Sequence, residues 1–401
     1  MSVWLTIVGI GEDGSSGLSA RARVALNAAE VVVGSERTLS MLPPGKARHM
    51  LWPQPFSAVA EQMKPLSGTR TVILATGDPM NFGVARKLLT FIPKAEVEII
   101  PHLSAFSLAA AHIGWSIPDC DCFTIHGRPA ANLEAFIQPN AQLLVLTEDG
   151  SSVAEVCRRL LARGFSKSSV TVLENLGGPQ EAVTTFAANA MPSRDWSPLN
   201  TLAIHCIADS DAKIWSRLAG LPDDAFLHDG KITKREVRAA TLAALAPAPD
   251  ELLWDVGAGS GSIGIEWMRA ARGCEAIAIE PDAERRSMIA ANADQLGTPR
   301  LRVIAAAAPA AYDALPAPHA VFIGGGISDP GTFEGAWDRL RPAGRMVANV
   351  VTLEGEMHLY DLQEKHGGEL VRMDISTLTR VGNLRAMRPR MAVTQWRITK
   401  P

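Results

Sequence analysis

A glycine-rich loop in the second half of the chain constrains its fold more than any other feature. Residues 255–264 read DVGAGSGSIG and follow the short apolar run 252–254. Glycines directly after a strand allow the backbone to turn tightly and to approach a ligand, and the helix that follows points its N-terminus at that ligand. The pattern therefore predicts a strand–loop–helix unit of a doubly wound α/β fold, with a ligand at the loop.

Two acidic residues beside this loop narrow the choice of ligand. Asp255 ends the strand before the loop, and Glu280 ends the next predicted strand. The spacing of Gly259, Gly261 and Gly264 also suits a dinucleotide, so a nicotinamide nucleotide remains an alternative, as does a purely structural turn. A carboxylate at Asp255 would repel a pyrophosphate, but it would offset the positive charge of S-adenosylmethionine. The residues therefore favour S-adenosylmethionine, with Glu280 bridging the ribose hydroxyls.

Apolar runs alternate with helix-like segments along both halves of the chain. This alternation predicts two α/β domains, the first with a largely parallel sheet and the second doubly wound. A polar, acidic stretch separates them, so we predict domains at 1–212 and 226–401 with a linker at 213–225. The predicted strands are 4–10, 31–33, 71–75, 97–100, 142–146, 170–173, 201–207, 252–256, 276–279, 301–304, 320–323 and 345–350. The predicted helices are 20–29, 104–113, 152–163, 234–245, 262–272 and 283–296.

The composition argues against several classes of partner. The 401 residues carry a formal net charge of −3 and only 5% aromatic residues, which disfavours nucleic acid as a partner or as the substrate of the second half. The five cysteines are scattered and no histidine cluster accompanies them, so neither a disulfide framework nor a metal site is expected. The first residues lack a basic stretch and a long apolar stretch, so we do not expect a signal peptide, and no apolar run reaches the ~18–20 residues that span a bilayer. We therefore expect a cytoplasmic protein that does not use a membrane.

Four further segments of the second half carry a family resemblance. They are 228–238 (HDGKITKREVR), 321–326 (VFIGGG), 340–345 (LRPAGR) and 348–354 (ANVVTLE). Together with the glycine loop they resemble the decarboxylating precorrin methyltransferases, which have a Rossmann-like class I methyltransferase fold. In this family an acidic residue lies beside the adenine, where this chain has Ala308 within the sequence AAAP, so that contact has to come from other groups. The resemblance implies a cofactor site formed by Thr233, Asp255, Gly257, Gly259, Gly261, Glu280 and Ala308.

The first half resembles a different family, the tetrapyrrole methylases. The segment 77–83 (GDPMNFG) directly follows a predicted strand, and alone it could be an ordinary turn. It is accompanied in the expected order by 8–11 (VGIG), 101–105 (PHLSA), 126–128 (HGR) and 174–177 (ENLG). Two departures are Glu12-Asp13 in place of the usual proline and Ala105 in place of a serine. The resemblance implies a two-lobed fold with S-adenosylmethionine against Gly77, Asp78, Pro79, Phe82, Gly83, Ser104 and Ala105.

The two resemblances, in this order, imply two methylations of one ring. They imply that the first domain methylates a precorrin-6 intermediate at C-5 and that the second methylates it at C-15. The second domain would also remove carbon dioxide from the C-12 acetate, giving precorrin-8 in cobalamin biosynthesis. Each domain would hold its own S-adenosylmethionine. An alternative is that only one half is catalytic and the other holds the substrate or serves assembly.

No catalytic triad is needed for such chemistry, and no catalytic residue is assigned. The sulfonium is already a strong electrophile and the ring carbons are nucleophiles, so the protein has to align them and exclude water. The many carboxylates of a precorrin make arginine an expected partner. Candidates for substrate binding are His126, Arg128, Gly325, Asn349, Thr352 and Arg388, although Asn349 and Thr352 could equally form a turn or a helix cap. We also expect a homo-oligomer.

Overall fold

The computed structural model describes residues 3–401, and its contacts divide the chain into two compact units. Unit 1 comprises the chain up to Ala130 together with Pro139–Lys213. Unit 2 comprises Ala131–Gln138 and Ile214–Pro401. Among residues 3–401, no helix is both long and apolar enough to cross a membrane.

The first sheet of unit 1 is entirely parallel, with strand order β3-β2-β4-β1-β5. Its apolar runs alternate between two buried faces: Ile7 and Ile73 pack on one side, whereas Val8 and Leu74 pack on the other. Such two-sided burial is typical of a parallel sheet covered by helices. The strands are β1 (Leu5–Ile10), β2 (Val31–Gly34), β3 (Arg48–Leu51), β4 (Thr71–Thr76) and β5 (Val97–Ile100). The helices are α1 (Ala20–Ala28), α2 (Glu36–Ser40), α3 (Val59–Met63), α4 (Ala85–Leu88) and α5 (Ala105–Ile113).

The second sheet of unit 1 is mostly antiparallel, so the prediction of a largely parallel sheet holds for the first sheet and is wrong for this one. Its order is β6-β7-β10-β8-β9, and only the β6–β7 pair is parallel. The short connection between β8 and β9 accounts for that antiparallel pair, because a parallel pair needs a long crossover. Its elements are β6 (Asp121–Thr124), β7 (Gln142–Leu146), α6 (Ser152–Ala162), β8 (Ser169–Glu174), β9 (Ala182–Ala187) and β10 (Asn200–His205).

Unit 2 has the predicted doubly wound sheet, with strand order β13-β12-β11-β14-β15-β19-β16. Six strands run in the same direction, and β19 lies antiparallel between β15 and β16. Its strands are β11 (Leu252–Val256), β12 (Glu275–Ile279), β13 (Arg302–Ile304), β14 (Ala320–Ile323), β15 (Arg345–Val350), β16 (Glu369–Met373) and β19 (Val393–Thr399), with a separate hairpin of β17 (Ser376–Val381) and β18 (Leu384–Pro389). Its helices are α7 (Arg235–Leu245), α8 (Ser262–Ala270), α9 (Ala283–Gln295), α10 (Thr332–Arg339) and α11 (Leu353–His366).

Residues 214–225, predicted to lie in a linker, are packed into unit 2. Trp215 and Leu221 are buried in the cluster beneath the sheet. The carboxylate of Glu266 accepts the backbone N–H of Gly220 at 2.6 Å and that of Leu221 at 2.9 Å, and it is ion-paired with the fully buried Arg238 at 2.6 Å. A buried ion pair is favourable only when its remaining groups are hydrogen-bonded, and this segment supplies hydrogen bonds to Glu266. Residues 214–225 are therefore part of the folded unit.

Candidate functional sites

A cleft of about 480 Å³ opens between the two sheets of unit 1. It is lined by Gly77, Asp78, Phe82, Gly83, Ser104 and Ala105, and also by His126 and Arg128. The structure therefore brings together all the first-half candidates except Pro79. Pro79 belongs to the same loop but is buried, and its carbonyl accepts the Ala85 N–H at 3.1 Å.

Close backbone packing explains the glycines around this cleft. A Cβ atom on Gly9 at the end of β1 would lie 2.2 Å from the carbonyl oxygen of Gly77. Gly77 itself has φ +61° and donates its N–H to Ile10 at 2.9 Å. Asp78 closes the next turn by accepting the Met80 N–H at 2.8 Å. The GDPMNFG loop is thus held against the ends of two parallel strands, where such sheets bind their ligands.

The loop and the following segments present both a helix N-terminus and an aromatic ring to the cleft. Ser104 caps α5 by accepting the N–H of Ser107 at 3.1 Å, so the positive end of that helix lies at the cleft. Phe82 has φ +57°, which is costly for a bulky residue and persists only where packing enforces it. Its ring packs edge-on against Phe106 at 5.9 Å, and the guanidinium of Arg128 lies 5.5 Å from its centroid.

The cleft also contains residues that the sequence did not single out. Arg37 lies in α2, where it is ion-paired with Glu12 and donates to the hydroxyl of Thr76 at 2.8 Å. In the sequence, only the replacement of the usual proline by Glu12 pointed to the Arg37–Glu12 ion pair. Trp52 and Phe56 line the cleft as well, with their rings 5.4 Å apart. The cleft therefore combines two guanidinium groups with several aromatic rings.

In unit 2 the glycine loop between β11 and α8 has the backbone that its sequence requires. Gly257, Gly259 and Gly261 have φ values of +70°, +58° and +75°. A Cβ atom on Gly261 would lie 3.0 Å from Ile289, whereas one on Gly259 would meet nothing closer than 3.8 Å. Both the close packing against Ile289 and the positive φ therefore favour glycine at position 261. At Gly259 the space beside the loop is open, as a ligand site needs.

Glu280 holds this loop through its carboxylate. It is buried, and its two oxygens accept the N–H of Gly259 at 2.8 Å and the N–H of Asp282 at 3.0 Å. Each carboxylate oxygen can accept a second hydrogen bond. The side chain can therefore order the loop and still bind hydroxyl groups of a ligand.

Asp255 is fully buried behind the loop. One oxygen accepts the N–H of Gly264 at 2.9 Å, and the other has no hydrogen-bond partner among the described residues. Burial raises the pKa of this carboxyl to about 7; the Gly264 N–H opposes the rise and the charge of Glu280 adds to it. A nearby positive charge would stabilise the ionised form, so the site is electrostatically suited to a cationic ligand.

Two other predicted segments lie against the glycine loop. Gly325 follows β14, and its N atom would be 3.3 Å from a Cβ placed on Gly257. The Thr233 segment approaches the loop at Lys231, whose carbonyl oxygen is 3.8 Å from a Cβ placed on Gly259. Thr233 itself precedes α7, and its carbonyl accepts a hydrogen bond from Arg238 at 2.5 Å. Ala308, in contrast, packs against the apolar cluster on one face of the sheet.

The remaining substrate candidates have more varied surroundings. Asn349 lies at the end of β15, where its side chain bonds to Thr241 and Gln395. Thr352 is the N-cap of α11, since its hydroxyl accepts the Gly355 N–H at 3.1 Å. Arg388 lies exposed on β18. Within residues 3–401, no group of three histidine, cysteine or acidic side chains is arranged to hold a metal ion.

Comparison with known proteins identifies the family. The family described as tetrapyrrole (corrin/porphyrin) methylases matches residues 4–190, and the precorrin methyltransferase domain matches residues 224–400. A precorrin-6Y C(5,15)-methyltransferase [decarboxylating] from Sinorhizobium sp is 44% identical over 403 residues, covering 100% of this chain and 97% of the relative. The chain belongs to the decarboxylating precorrin-6Y C(5,15)-methyltransferases.

Two further relatives match only part of this chain. A cobalt-precorrin-7 C(5)-methyltransferase from Salmonella typhimurium is 25% identical, covering 47% of this chain and 92% of the relative. A probable cobalt-precorrin-6B C(15)-methyltransferase (decarboxylating) from Pyrobaculum calidifontis is 33% identical, covering 34% of this chain and 71% of the relative.

Methyltransferases of this family use S-adenosylmethionine, and the residues of unit 2 fit that group. The unpartnered oxygen of Asp255 and the raised pKa of its carboxyl suit a sulfonium, and the buried carboxylate of Glu280 suits ribose hydroxyls. In unit 1 the fit rests on the open cleft beside the Gly77–Gly83 loop and on the N-terminus of α5.

Proposed function

We propose that this methyltransferase uses unit 1 to methylate C-5 of precorrin-6Y and unit 2 to methylate C-15 and decarboxylate the C-12 acetate. The observation that carries the proposal is the presence of two different glycine-framed loops, Gly77–Gly83 and Gly257–Gly261, each at the ends of parallel strands in its own unit. The names of the two partial relatives separate the C(5) reaction from the C(15) reaction in the same way. Each loop would hold one S-adenosylmethionine, which supplies an electrophilic methyl group.

In unit 1 the protein's contribution to the reaction is alignment and exclusion of water. The cleft has aromatic walls at Trp52, Phe56 and Phe82, which suit a flat conjugated ring. Arg37 and Arg128 lie in the same cleft, where guanidinium groups can bind carboxylates in a bidentate manner. No general base is required if the ring carbon attacks the methyl group directly and later loses its proton to solvent.

In unit 2 decarboxylation needs a held carboxylate and an electron sink. The bond between the acetate methylene and its carboxyl carbon breaks, carbon dioxide leaves, and the conjugated macrocycle accepts the electron pair before a proton restores the methyl group. Gly325 follows β14 and lies beside the glycine loop. Asn349 lies at the end of β15, the neighbouring strand. A side-chain amide and backbone N–H groups there can hold a carboxylate without supplying a reactive group. Thr352 has one hydroxyl lone pair engaged as a helix cap, and the exposed Arg388 could bind a peripheral carboxylate.

We also propose that the chain is a homo-oligomer that associates through the β17–β18 hairpin. Leu378 pairs with Met387 and Val381 pairs with Leu384, and these four side chains are 61–76% exposed. A two-stranded ribbon with such apolar pairs gains stability when it is covered, and a second copy is the commonest partner. Light scattering should give more than one subunit for the natural chain and a smaller assembly for Leu384→Glu/Met387→Glu; a monomeric natural chain contradicts the proposal.

The division of labour is tested with two variants of the full chain and mass spectrometry of the products. Gly259→Leu fills the open space beside the loop of unit 2, and Gly77→Val, at φ +61°, disturbs the loop of unit 1. We expect Gly259→Leu to give a product with one added methyl and every carboxyl retained. We expect Gly77→Val to give a product with one added methyl and one carbon dioxide lost.

Circular dichroism and thermal unfolding serve as controls for the fold of both variants. If Gly259→Leu still releases carbon dioxide, decarboxylation does not belong to unit 2. If one variant behaves like the natural chain in a folded state, the corresponding unit is a non-catalytic module that holds substrate or serves assembly.

A further inference from the structure

A buried asparagine of α9 joins two segments that approach each other at the loop of unit 2. Asn292 is fully buried, and its amide oxygen accepts the N–H of Leu227 at 2.7 Å. Its amide nitrogen donates to the carbonyl oxygen of Leu227 at 2.9 Å and to that of Ser260, within the glycine loop, at 2.9 Å. One side chain thus connects the glycine loop with the segment that precedes α7.

Two further side chains of α9 hold the same segment, residues 225–229, which we name the strap. Gln295 donates to the carbonyl of Ala225 at 3.2 Å. Arg285 donates to one carboxylate oxygen of Asp229 at 2.8 and 3.1 Å. The strap therefore runs antiparallel to α9 and is attached at both ends and at its middle.

The strap leads directly to the glycine loop. Asp229 accepts the N–H of Lys231 at 2.9 Å, which turns the chain after the strap. The carbonyl oxygen of Lys231 is the nearest atom, at 3.8 Å, to the position that a Cβ on Gly259 would occupy. Thr233 follows two residues later. The attachment of the strap to α9 therefore fixes where the Thr233 segment stands relative to the loop.

We propose that Asn292 is a positioning residue of the S-adenosylmethionine site in unit 2, and this inference rests on the proposed function of that unit. An asparagine amide can accept one hydrogen bond while it donates two, which is the set made here. Aspartate would accept the Leu227 N–H but would face two carbonyl oxygens with a buried charge. Leucine has a similar volume and would make none of the three bonds. Asn292 acts by setting the spacing of the two segments and need not touch the cofactor.

The attachment is uneven along the strap, and this gives the inference a second test. Asn292 is fully buried, whereas the side chains of Arg285 and Asp229 are 28% and 35% exposed. Ion pairs near the surface contribute little and are weakened by salt. We therefore expect the Asn292 bonds to control the affinity, and the Arg285–Asp229 pair to have a smaller, salt-dependent effect.

The experiment is calorimetric titration of the full chain with S-adenosylmethionine. Gly259→Leu identifies which of the two binding events belongs to unit 2. For Asn292→Leu we expect the dissociation constant of that event to rise about tenfold or more, as the loss of several hydrogen bonds implies. The event in unit 1 should be unchanged and the stoichiometry retained. Asp229→Asn should raise the dissociation constant less than Asn292→Leu does, and added salt should reduce its difference from the natural chain.

Ser287→Ala is the matched control, because the Ser287 hydroxyl donates to the Ala283 carbonyl within α9 and not to the strap. If Asn292 served only the stability of the fold, Asn292→Leu would lower the melting temperature and the fraction of chains that bind, while the chains that remain folded would bind S-adenosylmethionine with unchanged affinity. That result, or an unchanged dissociation constant, overturns the inference. A natural chain that shows no binding event sensitive to Gly259→Leu overturns instead the proposed function of unit 2.

Discussion

The side-chain amide of Asn349 donates a hydrogen bond to the hydroxyl oxygen of Thr241 at 2.8 Å. That hydroxyl donates its own hydrogen to the carbonyl of Val237 at 2.8 Å, so its oxygen is available as an acceptor. Gln395 donates both to Thr241 at 3.2 Å and to the amide oxygen of Asn349 at 3.0 Å. The orientation of the Asn349 amide is therefore fixed by two buried neighbours from α7 and β19.

The first prediction is that Thr241→Val impairs the reaction of unit 2 by releasing Asn349. Valine has the same shape but cannot accept either amide hydrogen, which should also lower the free energy of unfolding by about 1–3 kcal/mol. We expect the KM for the precorrin to rise while the KM for S-adenosylmethionine stays unchanged, as measured by steady-state kinetics and urea unfolding. Thr241→Ser retains the hydroxyl and should behave like the natural chain; an equal defect in both variants argues against a role for this hydrogen bond.

The second prediction is that Glu280→Gln weakens the binding of S-adenosylmethionine to unit 2. Both carboxylate oxygens accept backbone N–H groups, and the amide nitrogen of glutamine would face one of them. We expect a loss of about 1–3 kcal/mol in binding free energy, measured by calorimetric titration. Glu275→Gln, at the exposed start of β12, the strand that Glu280 follows, is the control. Unchanged affinity in Glu280→Gln would refute the proposed role of this carboxylate.

How much of this site the sequence could predict depends on the range of the contacts. The turn of the glycine loop and the positions of Asp255 and Glu280 beside it were predictable, because their spacing is local and follows directly from the strand–loop–helix pattern. The environment of Asn349 was not, because it depends on Thr241 and Gln395, which are 108 and 46 residues away along the chain. No local pattern encodes which distant side chain faces an amide.

The same distinction applies to the fold. Strands with continuous apolar runs, such as Leu252–Val256, were predictable from their burial on both faces. The edge strands β3 and β9 contain no buried residue and no continuous apolar run, so the sequence pattern did not predict them. The polar composition of residues 213–225 suggested a linker, because composition does not reveal that Trp215 and Leu221 are buried or that Glu266 binds this backbone.

The third prediction concerns pH and the carboxyl of Asp255. Its pKa is about 7 in the folded chain and about 3.8 when exposed, so the folded state binds the extra proton between these values. Stability should therefore fall as the pH rises from about 4 to about 7. A cationic ligand favours the ionised carboxylate, so binding of S-adenosylmethionine to unit 2 should strengthen with pH through 7 and release a proton.

Calorimetry in buffers with different ionisation enthalpies measures this proton release, and urea unfolding at pH 5 and pH 8 measures the stability. Asp255→Asn retains an oxygen that can accept the Gly264 N–H but cannot titrate. We expect this variant to lose the dependence of affinity on pH near 7. The same pH dependence in Asp255→Asn would assign the titration to another group.

The last prediction is that fragment 214–401, which lacks only Ala131–Gln138 of unit 2, is more stable than fragment 224–401. A chain that begins at 224 lacks the backbone N–H groups of Gly220 and Leu221 that Glu266 accepts, and also the Leu221 carbonyl that Arg238 bonds to. The buried ion pair would keep the Thr233 carbonyl but lose its other partners, which is strongly destabilising. It would also lose the burial of Trp215 and Leu221, worth about 1.5–3 kcal/mol for the leucine alone. Urea unfolding of both fragments should give a lower midpoint, or no cooperative transition, for 224–401. Leu221→Ala in the full chain should lower stability in the same direction, and two fragments of equal stability would show that residues 214–223 are the linker that their composition suggested.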